Sequence, residues 1–218
     1  MKTMKKSIGL LVAALAFCML LGVSTKVEAA AAPKSMKVAY MSTDRKDVSI
    51  EFPSRSDSNG YQVVLYNHNK KKIATTTCAF YASFHNKTTG NRCYYYRARV
   101  YNYINNKPLS GWSKLKAFST CKKYALSQVK GKRQMYVKAP KIPGVKYYKV
   151  YMSAKRDSGY KALKKILPGK KYKITKTTSK KAFSYGKYYY LKFKPVLKKG
   201  GTAEDFLIPY FYFYRTYR

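Results

Sequence analysis

The chain has 218 residues, with 46 Lys and Arg against eight Asp and Glu, a formal charge of +38. Such an excess favours anionic partners and opposes self-association. It leaves few carboxylates for acid–base chemistry, and two histidines without ligand spacing argue against a metal centre.

Lys2, Lys5 and Lys6 form a positive start, Ile8 to Val23 is an apolar run, and Ala29-Ala30-Ala31-Ala32 offers small residues for cleavage. Residues 1–30 therefore read as a secretory signal peptide. The run falls short of the roughly 20 residues of a spanning helix; a retained anchor is the other reading. Cys18 follows Phe17, too bulky for a lipoprotein cleavage site. Nothing beyond Pro33 is apolar enough to span a membrane. The expected location is extracellular, secreted or non-covalently held at the cell surface.

A motif then occurs twice. Ile50-Glu51-Phe52-Pro53 leads to Tyr61-Gln62-Val63-Val64-Leu65, and Val137-Lys138-Ala139-Pro140 leads to Tyr148-Lys149-Val150-Tyr151-Met152. Both proline-to-tyrosine gaps are eight residues and the copies lie 87 apart. Each copy continues into a tyrosine-rich alternating run, Tyr94 to Val100 and Tyr189 to Lys194, now 95 apart. The extra eight residues are expected in the Lys/Thr-rich stretch 170–181. A repeat of this length indicates two small domains, 33–120 and 121–218, rather than a solenoid.

Period-two alternation predicts strands in both copies. Val48, Ile50 and Phe52 face one way, as do Tyr61, Val63 and Leu65, then Tyr96, Ala98 and Val100. In the second copy the inward sets are Met135 and Val137; Tyr148, Val150 and Met152; and Leu191 and Phe193. Turn residues separate the runs, and no amphipathic helical stripe occurs. This predicts an all-β chain of two sandwiches. Pro195 conflicts with a central strand, because proline lacks a ladder donor. Phe206 to Tyr214 is the expected last strand, with Phe211 and Phe213 on the core face and Tyr210, Tyr212 and Tyr214 outward.

Gly60-Tyr61-Gln62-Val63, Tyr94-Tyr95-Tyr96-Arg97-Ala98-Arg99 and Ser110-Gly111-Trp112-Ser113 resemble fibronectin type III domains, in the form found in secreted proteins of anaerobic Gram-positive bacteria. The second copy resembles them through Tyr148 to Ser153, Asp157-Ser158-Gly159-Tyr160 and Tyr189-Tyr190-Leu191, but lacks the Gly-Trp-Ser element. The early-strand tryptophan is absent from both, with Phe52 or Ile50 the candidates to fill its space. The resemblance implies tandem fibronectin type III-like (Ig-like) sandwiches, with Tyr94 and Tyr189 as tyrosine-corner residues.

Charge is uneven. Residues 33–120 hold 15 Lys/Arg and four Asp/Glu, whereas 121–218 hold 27 and three. The candidate binding residues are Arg97, Arg99, Lys192, Lys194, Tyr212 and Tyr214, suited to an anionic cell-wall polymer such as teichoic acid or to another polyanion. A protein or carbohydrate ligand is open to the same tyrosines. The other readings of the charge are a solvated, edge-guarding surface and an extracellular nucleic-acid-binding matrix protein, although no specific nucleic-acid recognition motif occurs. Cys78 and Cys93 could form a disulfide worth about 3 kcal/mol, or pack as thiols. No catalytic pair, phosphate loop, cofactor motif or metal set is visible, so the expected role is a non-catalytic interaction or adhesion module, or an accessory binding subunit of a secreted enzyme system.

Overall fold

The computed structural model describes residues 29–55 and 59–215. The signal-peptide reading of 1–30 lies outside the described residues except for its last two positions. Among the described residues there is no helix, and hence none long and apolar enough to cross a membrane.

The first half forms β1 (Lys37–Met41), β2 (Val48–Glu51), β3 (Asn59–Tyr66), β4 (Lys72–Cys78), β5 (Tyr81–Phe84), β6 (Cys93–Asn102), β7 (Lys107–Pro108) and β8 (Lys116–Ser119). One sheet has the order β1-β2-β5, and the facing sheet runs β8-β6-β3-β4. Alternation decides which side chains enter the gap between them. Ile50, Val63, Leu65, Tyr96, Ala98 and Phe118 are fully buried there. Phe52 stacks on Tyr61 with ring centres 4.6 Å apart. Gly60 lets the chain pass tightly, since an added Cβ would lie 2.3 Å from the Cys78 carbonyl oxygen.

The second half repeats the plan with β9 (Ala125–Gln128), β10 (Met135–Lys138), β11 (Val145–Ser153), β12 (Lys161–Ile166), β13 (Lys171–Ile174), β14 (Tyr188–Leu197), β15 (Ala203–Asp205) and β16 (Tyr210–Tyr212). Its sheets are β13-β10-β9 and β12-β11-β14-β16. Met135, Tyr148, Leu191, Phe183 and Phe213 are buried between them.

The repeat offset grows in two steps. Val48 and Met135 occupy equivalent sites 87 residues apart; their cross-strand partners, Phe84 and Ile174, lie 90 apart; the corner tyrosines lie 95 apart. Three extra residues thus precede the end of β13 and five follow it, so the surplus is not one insertion in 170–181, where β13 itself lies. Pro195 sits within β14 opposite Tyr148, but β16 pairs only with Tyr188–Tyr190. Beside Pro195 the outer edge of β14 carries only an isolated bridge, Val196 with Thr202, and no continuous ladder, so a missing donor is tolerated. The expected last strand is shorter than the aromatic run: Phe206 to Pro209 is not strand, and β16 begins at Tyr210. Asp205 caps the Leu207 amide at 3.0 Å, and Pro209, which cannot donate, meets β14 through its carbonyl, accepting from the Leu191 amide at 2.8 Å.

The two sandwiches are joined by more than a linker. β15 leaves the second sandwich and pairs in parallel with β8 of the first, extending that sheet. Cys93, Tyr95, Ala117 and Cys121 share one buried cluster with Tyr124, Tyr148 and Phe193. Tyr124 lies flat on Phe193, with ring centres 3.7 Å apart. The linker is pinned as well: the Arg45 guanidinium donates to the Cys121 carbonyl at 3.1 Å, and the Lys122 amide donates to the Asn91 side chain at 3.1 Å.

The Cys78–Cys93 bridge does not form; both thiols are free. Cys78 opposes Tyr61, which opposes Val100, whereas Cys93 opposes Ser119 at the other end of β6. Seven residues of strand separate the two positions by roughly 23 Å, far beyond disulfide reach. Burial pushes the thiols of Cys78, Cys93 and Cys121 up to about 12, leaving them as small apolar residues.

Candidate functional site

Two outer sheet faces carry the residues singled out from the sequence. On the first sandwich, Arg97 and Arg99 project outward from β6. Their guanidinium carbons lie 4.8 and 4.5 Å from the centre of the Trp112 ring, which both arginines share. Arg97 also donates to the Tyr66 hydroxyl at 2.7 Å and Arg99 to the Gln62 side-chain Oε1 at 2.8 Å. The segment 110–113 holds Trp112 there without being a strand. Ser110 Oγ accepts from the Val100 amide and Ser113 Oγ from the Ala98 amide, at 2.8 and 3.0 Å, so two hydroxyls replace ladder carbonyls. Arg97 and Arg99 are therefore tied into a ladder that braces their own domain.

The other four candidates gather on the second sandwich. β14 buries Tyr189, Leu191 and Phe193 and turns Tyr188, Tyr190, Lys192 and Lys194 outward. β16 brings Tyr212 and Tyr210 opposite Tyr188 and Tyr190. Tyr188 and Tyr212 have ring centres 4.7 Å apart, Tyr190 and Tyr210 6.1 Å, and Tyr212 and Tyr214 5.2 Å. Lys192 and Lys194 continue the face beside Tyr151 and Lys149 of β11. Lys192 Nζ sits 4.1 Å from the centre of the Tyr160 ring. The result is a tyrosine terrace running into a lysine field on one outer surface. Tyr214 is held at its edge, where its backbone exchanges two hydrogen bonds with the Gln128 amide.

Arg156 was not among the residues picked from the sequence. It lies in the turn after β11 and closes a cleft with Tyr188, Tyr190, Ile208 and Tyr210. A lone arginine between Lys155 and Asp157 gives no periodic signal; only the folded turn brings it to the tyrosines.

The corner tyrosines have a common geometry. The Thr89 amide donates to the Tyr94 hydroxyl at 2.8 Å and the Ser184 amide to the Tyr189 hydroxyl at 3.1 Å, each five residues upstream. The eight-residue gap of the repeated motif is also a hydrogen bond. Tyr61 donates to the Pro53 carbonyl and Tyr148 to the Pro140 carbonyl, both at 3.0 Å.

A third polar cluster lies at the junction. The Asp205 carboxylate accepts from the Tyr124 hydroxyl and the Leu207 amide, and Ser119 donates to it. Burial pushes this carboxyl up to about 6 and the Tyr124 phenol well above its usual range. The Asp205 carboxylate lies half-buried between the domains. Among the described residues no set of three His, Cys, Asp or Glu could hold a metal ion.

No protein-family model matches the chain, and no curated protein matches it. Solved structures similar to it include the FN1–FN3 domains of chicken CNTN1 (10% identity, 85% of this chain, 68% of that chain, TM-score 0.32). A two-domain fibronectin type III segment of chicken tenascin is 14% identical over 79% of this chain and 95% of that one, with a TM-score of 0.32. The central fibronectin-III array of RIM-binding protein is 10% identical over 85% and 62%, with a TM-score of 0.31. Overlap at that level is slight, and the fold rests on strand order: in each half a three-stranded sheet faces a four-stranded core sheet, closed by a corner tyrosine. The chain is a tandem of two fibronectin type III-like β-sandwiches.

Proposed function

We propose that this protein is a non-catalytic binding module working outside the cell, held on an anionic polymer by the outer face of its second sandwich. One observation carries the reading. Residues 121–218 contain 27 Lys/Arg and three carboxylates, and two of those carboxylates are withdrawn from the outer face. Asp205 is half-buried at the junction, and Glu204 in β15 faces the Val38 amide at 3.4 Å. Asp157 alone remains beside the terrace. Lysines fixed along β11, β12 and β14 thus present nearly unopposed positive charge. Contacts between lysine and a polyanion release counterions, so binding is salt-dependent and indifferent to sequence.

A salt series with the full chain and isolated cell walls, with and without their anionic polymer, tests this. Binding at low salt that needs the polymer and fades at high salt is the expected result. No binding at low salt would return the lysines to a role in solubility and edge protection.

A further inference from the structure

We infer that the Arg156–tyrosine cleft is a subsite for an acidic polysaccharide whose backbone is itself made of sugar rings; this rests on the polymer-binding reading above. Charge alone would need only the lysine field. The terrace adds what a polyphosphate cannot use. Tyr188 and Tyr210 are about half or more exposed, at 49% and 61%. Tyr188 and Tyr190 stand within 23° of parallel, and Tyr210 leans against both. Tyrosine suits a half-wet surface, offering an apolar ring and a polar tip. The C–H face of a pyranose packs on such rings while its hydroxyls reach the phenols.

Arg156 supplies the second half of the recognition. Its side chain is exposed and makes no ion pair among the described residues, and a guanidinium matches a carboxylate in a two-point fork. Asp157 follows it and lies near Tyr160, on whose ring Lys192 packs, so two cations and one carboxylate stand around the cleft. The cleft also does not end at one sugar. Ile208 and Tyr210 line a second depression on their other side, bounded by Lys122 and Lys123. Two depressions sharing a wall, one lined by Arg156 and the other by Lys122 and Lys123, fit successive units of a linear chain. A backbone of glycerol or ribitol phosphate has no rings to lay on the tyrosines.

Calorimetry at physiological salt on the full chain would compare four probes: an oligosaccharide alternating glucuronate with N-acetylglucosamine, a neutral N-acetylglucosamine oligomer, poly(glycerol phosphate) and polyglutamate. The glucuronate oligomer should bind at least tenfold tighter than each of the others. Arg156→Ala and Tyr188→Ala should each weaken it at least tenfold, and Tyr210→Ser gives a second, independent ring deletion. Equal binding of poly(glycerol phosphate) or polyglutamate, unmoved by Tyr188→Ala and Tyr210→Ser, would overturn this subsite while leaving polymer retention intact. Equal binding of the neutral oligomer would overturn the role of Arg156. Failure of every anionic probe, at low salt as well, would overturn both readings.

Discussion

Burial at the domain junction raises the Asp205 carboxyl from an ordinary 3.8 to about 6, although Tyr124, Ser119 and the Leu207 amide all donate to it. Below pH 4 the folded and unfolded chains both hold this proton. Between about 4 and 6 the unfolded chain has released it and the folded chain has not, so stability falls as pH rises through that window and then levels off. The change is on the order of 3 kcal/mol for two units of displacement. Urea unfolding at pH 4, 5, 6 and 7 should show this fall in the parent and a flatter profile in Asp205→Asn; parallel profiles would remove Asp205 from the account. Residues of this kind were hard to see in advance. Asp205 follows Glu204 in a turn-like stretch, and nothing local marks it as half-buried. The opposite holds for Tyr61 and Tyr148, whose eight-residue distance from a proline was plain in the sequence. What the spacing could not say is that each phenol closes on that proline's carbonyl, because the bond spans a chain reversal rather than a periodic element.

At the scale of elements, the Ser110-Gly111-Trp112-Ser113 segment does the work of a strand with side-chain hydroxyls. Trp112→Ala removes the ring shared by Arg97 and Arg99, two cation–π contacts of about 0.5–1 kcal/mol each, so a loss of roughly 1–2 kcal/mol is expected. Ser113→Ala leaves the Ala98 amide without its hydroxyl acceptor and should cost about 1–3 kcal/mol. Thermal unfolding of the two variants checks this, and midpoints equal to the parent's would contradict it. Strands that face one core and one solvent side were legible, because Ile50, Val63, Ala98, Val150 and Phe193 alternate cleanly. β15 was not. Ala203-Glu204-Asp205 has no alternation of its own and is strand because β8 is there to pair with it. β16 was overestimated for a related reason: the aromatic run favours strand throughout, but Pro209 and the Asp205 cap decide where pairing starts.

For the whole molecule, the parallel pairing of β15 with β8 makes two domains into one mechanical unit. Calorimetry of the parent should show a single cooperative transition. Ala203→Asp sets a carboxylate into the buried junction, where an unpaired charge is costly, and should split that transition in two; a single transition at an unchanged midpoint would mean the seam is weak. The candidate surface was partly legible at this scale. Lys192, Lys194, Tyr212 and Tyr214 share a face because sheet period and cross-strand register bring them there, whereas Arg97 and Arg99 belong to the other sandwich and Arg156 arrives through a turn. The same seam has a temporal side. β8 is complete at Ser119, but its partner begins 84 residues later, at Ala203. At synthesis rates of roughly 5–20 residues per second the first sandwich waits about 4–17 s with that edge bare. During that interval it is a template for any passing strand, and the charge available to hold a neighbouring copy off is the first half's own 15 Lys and Arg against four Asp and Glu.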